Sequence, residues 1–266
     1  MARKIPPAKI LVNRSVDLNQ LRYPRELLFL KLHSFLGVLS LAGFIAVALK
    51  FPRYAAGAVG LYLLCAFVLW SKARIARAKL CGHSIHDGEN SFPEMHYIRT
   101  LITNILGYTS PIDIRVSSIQ LGEPRWLMHG RGVTLIMPEA LLAATITRAE
   151  IGQLLWLLGR MIGLQATRKK VFVLLRWLSF IARLNPLCWS FDNLYRRSTH
   201  FTADRIGLAL GLSLIDAAEA MNKMLAGDLH ARTNFAHLLE EAETQRRGVF
   251  AFMHELLAAK PTLLRR

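Results

Sequence analysis

Histidine, cysteine and carboxylate side chains are the groups of this chain that could hold a metal ion or activate water, and their spacing is the first test of a site. Residues 254–258 begin with His-Glu, like the H-E-x-x-H motif whose two histidines hold zinc one helical turn apart. Ala258 stands where the second histidine is required. This segment therefore does not predict a zinc site of that kind.

The segment around residues 81–87 is a second candidate. His83 and His86 are three residues apart and follow Cys81, and Asp87 is the only carboxylate beside them. We interpret the segment as a polar loop close to the membrane, and a metal site is the alternative. The three cysteines share no metal-type spacing, and Cys65 lies in an apolar run, so no disulfide framework is expected and a reducing compartment fits.

His200 is a third candidate, in a segment of helical character. One imidazole does not make a zinc site, which takes three protein ligands and a water. We interpret His200 as a helical histidine that hydrogen-bonds Asp204 four residues on, with a surviving ligand for another ion as the alternative. The chain contains no G-x-S-x-G elbow, phosphate loop or dinucleotide fingerprint, so those hydrolase and nucleotide-binding classes are not indicated.

Two apolar runs near the N-terminus must be placed before any site. Residues 32–49 contain only His33 as an ionisable group, and residues 54–71 contain none. Each run is long enough to cross a hydrocarbon core of roughly 30 Å at about 1.5 Å per residue. Pro52, in the link of residues 50–53, stops the first helix. The sequence predicts a transmembrane helical hairpin over residues 32–71, with a buried hairpin of a soluble core as the alternative.

The formal charge of +16 indicates an anionic partner. Basic residues flank the apolar runs, whereas the link between them carries only Lys50 and Arg53. The positive-inside rule then predicts a multi-pass protein of the cytoplasmic membrane with both termini in the cytoplasm, starting with a basic segment over residues 1–31. The basic residues are not interleaved with aromatic ones, so we expect the lipid bilayer and not nucleic acid to be the partner.

Residues 72–266 are expected to form one cytoplasmic domain, mainly α-helical with a small β-sheet (α+β). Helical spacing of apolar residues and a glycine C-cap at Gly107 predict a helix over 93–106. Alternation predicts a strand over 112–119, and an apolar run predicts another over 133–137. A helix over 138–144 follows, and Thr147 with Glu150 forms a capping box for a helix over 150–163 that is apolar almost all round and so buried.

The apolar segment of residues 171–189 is interrupted by Arg176 and Arg183, which fall on roughly one face of a helix. This pattern favours an amphipathic helix that lies against a membrane or a partner, and a third membrane span is the alternative. Residues 191–225 predict one long helix or two, and residues 233–258 predict another.

The order of motifs after residue 72 resembles that of the HtpX- and Ste-type membrane-anchored zinc metallopeptidases. Residues 91–95, Ser-Phe-Pro-Glu-Met, resemble the family's Q-F-P-E-L step, and residues 141–151 resemble its L-L-x-x-L-T-x-x-E-L segment. Residues 197–205 match the Arg, Ala, Asp and Arg of its R-x-x-E-x-x-A-D-R motif, through Arg197, Asp204 and Arg205. Residues 260–266 resemble its closing H-P-x-x-x-x-R.

The departures fall on the family's metal and catalytic positions. Seven residues beyond Glu150, where the family has its first zinc-binding histidine, stands Leu157. Leu158 occupies the position of the general-base glutamate and Met161 that of the second histidine. His200 occupies the position of the third ligand, a glutamate. The family's N-A-F-x-x-G edge strand is also altered, to Trp-Leu-Met-His-Gly at residues 126–130.

The resemblance implies a zincin-like domain behind the hairpin, with the family's zinc expected but its ligands absent. We therefore expect an inactive homologue that binds or regulates a protein partner at the membrane, with no cofactor; a homo-oligomer is left open. The candidate partner surface comprises Trp126, Met128, Arg176 and Arg183. The alternatives are an active metalloendopeptidase with an atypical site that uses His200, His129 or His254, and a structural membrane scaffold.

Overall fold

The computed structural model describes residues 16–119, 123–129, 132–145, 151–169, 171, 173–185, 188–211, 213–226 and 240. Of these described residues 75% are helical, and a small four-stranded mixed sheet accompanies the helices, which confirms the α+β prediction. The chain begins with a short helix, α1 (Leu18–Leu21), whose N-cap Asp17 accepts a hydrogen bond from the amide of Asn19.

Two long apolar helices follow, α2 (Glu26–Lys50) and α3 (Pro52–Gly82). Both are long and apolar enough to cross a membrane by length and composition, and only 17% and 6% of their most apolar windows are buried within the fold. They extend beyond the apolar runs at 32–49 and 54–71. The predicted link of residues 50–53 is wrong in extent, because Pro52 already occupies the first turn of α3, where a proline needs no amide hydrogen. Phe51 alone separates the helices.

The sheet lies in the order β1-β2-β4-β3, with strands β1 (Ser84–His86), β2 (Ile112–Ser117), β3 (Arg125–His129) and β4 (Gly132–Pro138). The central pair β2 and β4 is parallel, and both edge strands are antiparallel to their neighbours. Central strands are covered on both faces, which explains why β4 is an almost continuous apolar run. The sheet therefore has two edges, formed by β1 and β3.

Helix α4 (Pro93–Ile105) confirms the helix predicted over 93–106. It buries Met95, Ile98 and Ile102 against the sheet core. Gly107 has φ +60°, a left-handed conformation that ends helices and that glycine adopts without a Cβ penalty. The C-cap residue itself is Leu106, so the predicted C-cap at Gly107 is wrong by one position, and Gly107 is the left-handed residue that follows the cap.

Helix α5 (Glu139–Thr145) leads into α6 (Ile151–Lys169), which is buried from Gly152 to Thr167. It packs closely against α8 (Trp189–Leu210) through small residues. A Cβ added at Gly163 would lie 2.5 Å from Cγ2 of Ile206, and one at Gly207 would lie 2.9 Å from the carbonyl oxygen of Trp156. The absence of side chains at these glycines lets the two backbones approach and brings Arg160 of α6 to the side of α8.

The segment predicted as a single amphipathic helix over 171–189 is shorter, because α7 covers Val173–Arg183 and α8 begins at Trp189. The stretch 191–225 divides into α8 and α9 (Leu214–Ala226). Helix α7 presents large apolar side chains to the outside: Val173, Leu174, Trp177 and Phe180. The helix predicted over 233–258 lies outside the described residues, apart from residue 240.

Helix α7 packs on the first half of α2. Nε2 of His33 donates to the carbonyl oxygen of Ser179 at 3.0 Å, and the hydroxyl of Ser34 donates to the carbonyl oxygen of Leu175 at 3.0 Å. A Cβ at Gly37 would overlap the carbonyl oxygen of Leu178. The hairpin is therefore joined to the domain by a close backbone contact and by hydrogen bonds, beyond its chain connection.

Candidate functional site

A cavity of about 650 Å³ lies between the edge strand β3, helices α6 and α8, and the ends of α2 and α7. We call it the arginine cavity because five arginines line it, more than any other residue type: Arg125, Arg160, Arg168, Arg183 and Arg196. Its other described lining residues are Leu30, Glu123, Pro124, Trp126, Met161, Leu164, Ser179, Tyr195, Thr199, His200 and Ala203.

The structure brings together three of the residues singled out by sequence. Trp126 of β3, Met161 of α6 and His200 of α8 all line the arginine cavity. Leu157 and Leu158 are completely buried in the hydrophobic core and are not among the lining residues. Leucine side chains at these two positions fill the core. A polar side chain buried there without a hydrogen-bond partner would cost about 1–3 kcal/mol of stability.

A buried ion pair joins α6 to α8 at the wall of the cavity. Nε of Arg160 lies 2.5 Å from Oδ1 of Asp204, and both side chains are almost fully buried, at 4% and 6% exposure. The Arg160 guanidinium also lies over the ring of Trp156, at 5.6 Å from its centroid. Asp204, which the resemblance marks as a retained residue, thus pairs with Arg160 across the packed helices.

A second charged group lies where α2, α7 and α8 meet. Asp192 accepts from Nε of Arg183 at 2.8 Å and lies 2.6 Å from Nε of Arg196. Its Oδ1 is also 3.5 Å from Nε2 of His33. One carboxylate is thus shared by two guanidinium groups and approached by an imidazole. Arg183 is tied to Asp192 while 37% of its side chain stays exposed, and its place in a partner surface stays a prediction.

The side chains of two cavity arginines form no hydrogen bond or ion pair with the side chain or backbone of another described residue: Arg125 and Arg168. Burial lowers the pKa of Arg168, and the positive charges of Arg183 and Arg196 lower it further, while Tyr195 and Glu26 oppose them. Arg168 nevertheless stays protonated at neutral pH, because the ordinary pKa of a guanidinium group lies far above neutrality. The cavity therefore holds positive charge that its own carboxylates do not neutralise.

Burial also raises the pKa of Tyr195, and the negative charge of Glu26 acts in the same direction, opposed by Arg168, Arg183 and Arg22. Tyr195 thus keeps its hydroxyl proton and can donate a hydrogen bond into the cavity. Thr199 and Ser179 add hydroxyl groups to the same lining. The cavity offers many donors and one lining carboxylate, Glu123, among its described residues.

The zinc that the family resemblance implies does not fit this set of donors. Among the described lining residues the only imidazole is His200 and the only carboxylate is Glu123. Met161 offers a thioether, which favours soft Cu(I) over zinc. Five guanidinium groups surround these atoms and would repel a divalent cation, so we derive no metal-dependent step at this site.

A smaller cluster of potential metal ligands lies at the other edge of the sheet, beside strand β1. His86, Asp87 and Asp113 bring their ligand atoms within 4.8 Å of one another. Each carboxylate already binds an arginine, because Arg99 donates to Asp87 at 2.9 Å and Arg115 donates to Asp113 at 2.8 Å. His86 lies 2.9 Å from Asp113. The cluster is explained as an ion-pair network that holds β1 and α4 to β2.

The segment around His86 is therefore not the polar loop that the sequence predicted. Residues Ser84–His86 form strand β1, which pairs antiparallel with β2. The prediction was wrong because three residues are too few for alternation to reveal a strand. The pairing with a neighbouring strand, and not the local pattern, orders them.

Of the other site residues predicted from the sequence, Arg197 and Arg205 lie in α8, and the rest lie outside the described residues or have side chains outside them. Arg205 is exposed, with its Nη1 3.4 Å from the carbonyl oxygen of Arg22 and its guanidinium 5.5 Å from the ring centroid of Tyr23. Arg197 lies in α8, and burial lowers its pKa. The positions outside the described residues are Glu150 with its capping box, His254 and residues 260–266; so are the side chains of Met128, His129 and Arg176.

Sequence reasoning missed the arginines as a group. Arg160 had a signal, since it is a charged residue within a helix that is otherwise apolar almost all round, and a buried charge needs a partner. Arg125 and Arg168 had none, because each stands near the end of its element, where a basic residue is ordinary. Their proximity arises only from the packing of β3, α6 and α8.

No protein-family model matches the chain, and no curated protein or solved structure is significantly similar to it.

Proposed function

We propose that this protein is a membrane-anchored, non-hydrolytic relative of the HtpX- and Ste-type metallopeptidases that binds a protein partner at the cytoplasmic membrane. The hairpin α2–α3 anchors it, both termini face the cytoplasm, and the remaining domain is zincin-like. The observation that carries the proposal is the arginine cavity. It is lined by the edge strand β3 and by Met161 and His200, two positions where the family has metal ligands.

The position of β3 supports a binding role. It is an edge strand, so within the part of the chain that the structure describes one side of its backbone is not paired with another strand. An extended polypeptide can add to such an edge through main-chain hydrogen bonds. Trp126 and Arg125 of this strand line the cavity, so a polypeptide seated on β3 would lie beside it.

The donor chemistry supports the absence of hydrolysis. Water activation in a zincin needs a metal and a general base, and the corresponding positions carry Leu157, Leu158 and Met161. Leu157 and Leu158 are fully buried and cannot reach a substrate. His200 is a single imidazole among arginines.

The anchoring half of the proposal is tested by chemical labelling in intact cells. In a background with Cys65, Cys81 and Cys188 replaced, Arg53→Cys at the hairpin turn should react with a membrane-impermeant maleimide added outside. Asn90→Cys, in an exposed loop of the domain, is the matched control and should react only after permeabilisation. Equal labelling of both positions without permeabilisation would contradict the topology.

The non-hydrolytic half is tested with the purified full-length protein, an unfolded substrate protein and added zinc. We expect no cleavage above that of the His200→Ala variant. Cleavage that needs zinc and is lost in His200→Ala would refute the proposal and favour the atypical metallopeptidase.

A further inference from the structure

We infer that the arginine cavity binds a phosphate-bearing anion, presented by a lipid headgroup or as a free phosphate compound. The inference rests on the proposed function only in one respect, that the cavity is not a hydrolytic site. It goes beyond that proposal because it assigns a ligand class to the cavity itself.

The charge balance of the cavity carries the argument. Asp204 pairs with Arg160, and Asp192 is shared between Arg183 and Arg196. Together with Glu123, three carboxylates in or beside the described lining face five arginines. The guanidinium groups of Arg125 and Arg168 have no hydrogen bond or ion pair with any described residue. Like charges gathered around one cavity repel one another, and an anion between them relieves that repulsion.

Arg168 is the clearest unmatched group. It lies at the last turn of α6, and burial together with Arg183 and Arg196 lowers its pKa. A cation in such surroundings costs free energy unless a counter-charge is supplied. Glu26 is the described acid that raises the pKa of Arg168, but its effect is smaller than the lowering by burial and by each of Arg183 and Arg196.

The donor types match a phosphate group. Guanidinium forks bind phosphate oxygens through pairs of parallel hydrogen bonds, which a single ammonium cannot do. The hydroxyls of Tyr195 and Thr199 lie in the same lining and can donate to further oxygens. A volume of about 650 Å³ is within the range of roughly 300–1,000 Å³ found for small-molecule sites.

The position of the cavity favours a membrane source over a soluble protein. Leu30 of α2 and Ser179 of α7 line it, so it reaches the part of the fold that joins the hairpin. The exposed face of α7 beside Ser179 is apolar and aromatic, with Trp177 and Phe180 at 63% and 47% exposure. Lipid headgroups lie at this level when an amphipathic helix rests in the interface. An acidic peptide is the competing occupant.

The test uses the full-length protein in detergent with four probes: dihexanoyl phosphatidylglycerol, dihexanoyl phosphatidylcholine, inorganic phosphate and hexaglutamate. Tryptophan fluorescence reports binding, since Trp126 lines the cavity. We expect saturable binding of the phosphatidylglycerol and weaker binding of the zwitterionic lipid. Arg168→Gln should weaken binding roughly ten- to a hundredfold, the worth of a charged hydrogen bond, and Arg168→Lys should restore part of it.

Arg77→Gln is the matched control, because it removes one positive charge from α3 outside the cavity. It should leave the affinity unchanged within about twofold. Should Arg168→Gln fail to fold, Arg125→Gln on the exposed end of β3 provides the same test.

Phosphate binding that depends on Arg168 without lipid binding would support the site and assign a free phosphate compound as the ligand. Three outcomes overturn the inference: no saturable binding of any probe, an equal loss in Arg77→Gln, or Arg168-dependent binding of hexaglutamate in the absence of any phosphate binding. Zinc content and proteolysis report separately on the proposed function.

Discussion

The buried pair of Arg160 and Asp204 makes the sharpest prediction about stability. Its atoms are 2.5 Å apart, and the two side chains are 4% and 6% exposed. Asp204→Ala removes the counter-charge and leaves the Arg160 guanidinium buried between α6 and α8. Breaking a buried pair from one side costs about 3–5 kcal/mol, most of it the desolvation of the remaining charge.

Thermal unfolding in detergent, followed by circular dichroism, measures this effect. A domain of 150–250 residues loses roughly 2–4 °C per kcal/mol, so Asp204→Ala should lower the midpoint by roughly 6–20 °C. Arg115→Gln is the matched control, since Arg115 pairs with Asp113 at a more open position, with exposures of 29% and 26%. A solvent-accessible pair contributes about 0–1 kcal/mol, so this variant should cost far less than Asp204→Ala.

The double variant Arg160→Met with Asp204→Leu tests the cause. It removes both charges and replaces them with apolar side chains of similar size, which is often neutral for a buried pair. We expect it to recover most of the stability lost in Asp204→Ala. A small cost for Asp204→Ala, or a double variant less stable than the single one, would refute the reasoning from buried charge.

Two further predictions concern the hairpin contact and the β1 cluster. Gly37→Ala should destabilise the protein by about 1–3 kcal/mol, because its Cβ would overlap the carbonyl oxygen of Leu178. Gly43→Ala on the same helix is the control, because a Cβ there meets nothing within 4 Å. Equal effects of the two variants on the unfolding midpoint would contradict the contact. Burial raises the pKa of Asp87 above its ordinary value of 3.8, although Arg99 acts in the opposite direction. The neutral form of Asp87 therefore contributes to the free energy of unfolding below pH 3.8, and this contribution is lost as the pH rises through the raised pKa. As the pH rises from 3.8 through the raised pKa, the unfolding midpoint of Asp87→Asn should increase relative to that of the native protein. A difference in midpoint that does not change with pH would contradict this prediction.

Local patterns were enough to predict most of the long helices and the two central strands. The long apolar runs, the spacing in α4 and the alternation in β2 are each set by neighbours within one element. Gly107 was predictable because a helix end needs a left-handed residue, and glycine adopts that conformation most readily.

Contacts between distant elements could not be predicted in the same way. Strand β1 depends on its pairing with the neighbouring strand β2. The docking of α7 on α2 depends on contacts between residues more than a hundred positions apart. A signal for the second was present, since His33, Ser34, Gly37 and Ser40 place small and polar residues on one side of an apolar helix. Such residues mark where membrane helices pack against other helices.

The candidate site was predictable only in part. The resemblance pointed to Met161, His200 and Trp126, which the fold brings to one cavity. It gave no indication of Arg125 and Arg168, whose convergence depends on how β3 packs beside α6. The family motifs thus predicted that Trp126, Met161 and His200 lie together. The charge of the cavity depends on the arginines around them, which belong to no motif.

Zinc content is the most direct measurement of whether this protein is a non-hydrolytic member of its proposed group. The full-length protein, purified without chelators and equilibrated with zinc, should contain far less than one zinc per chain by elemental analysis. His200→Ala should leave that value unchanged, since a single imidazole among arginines does not hold zinc. One zinc per chain, lost in His200→Ala, would contradict the account.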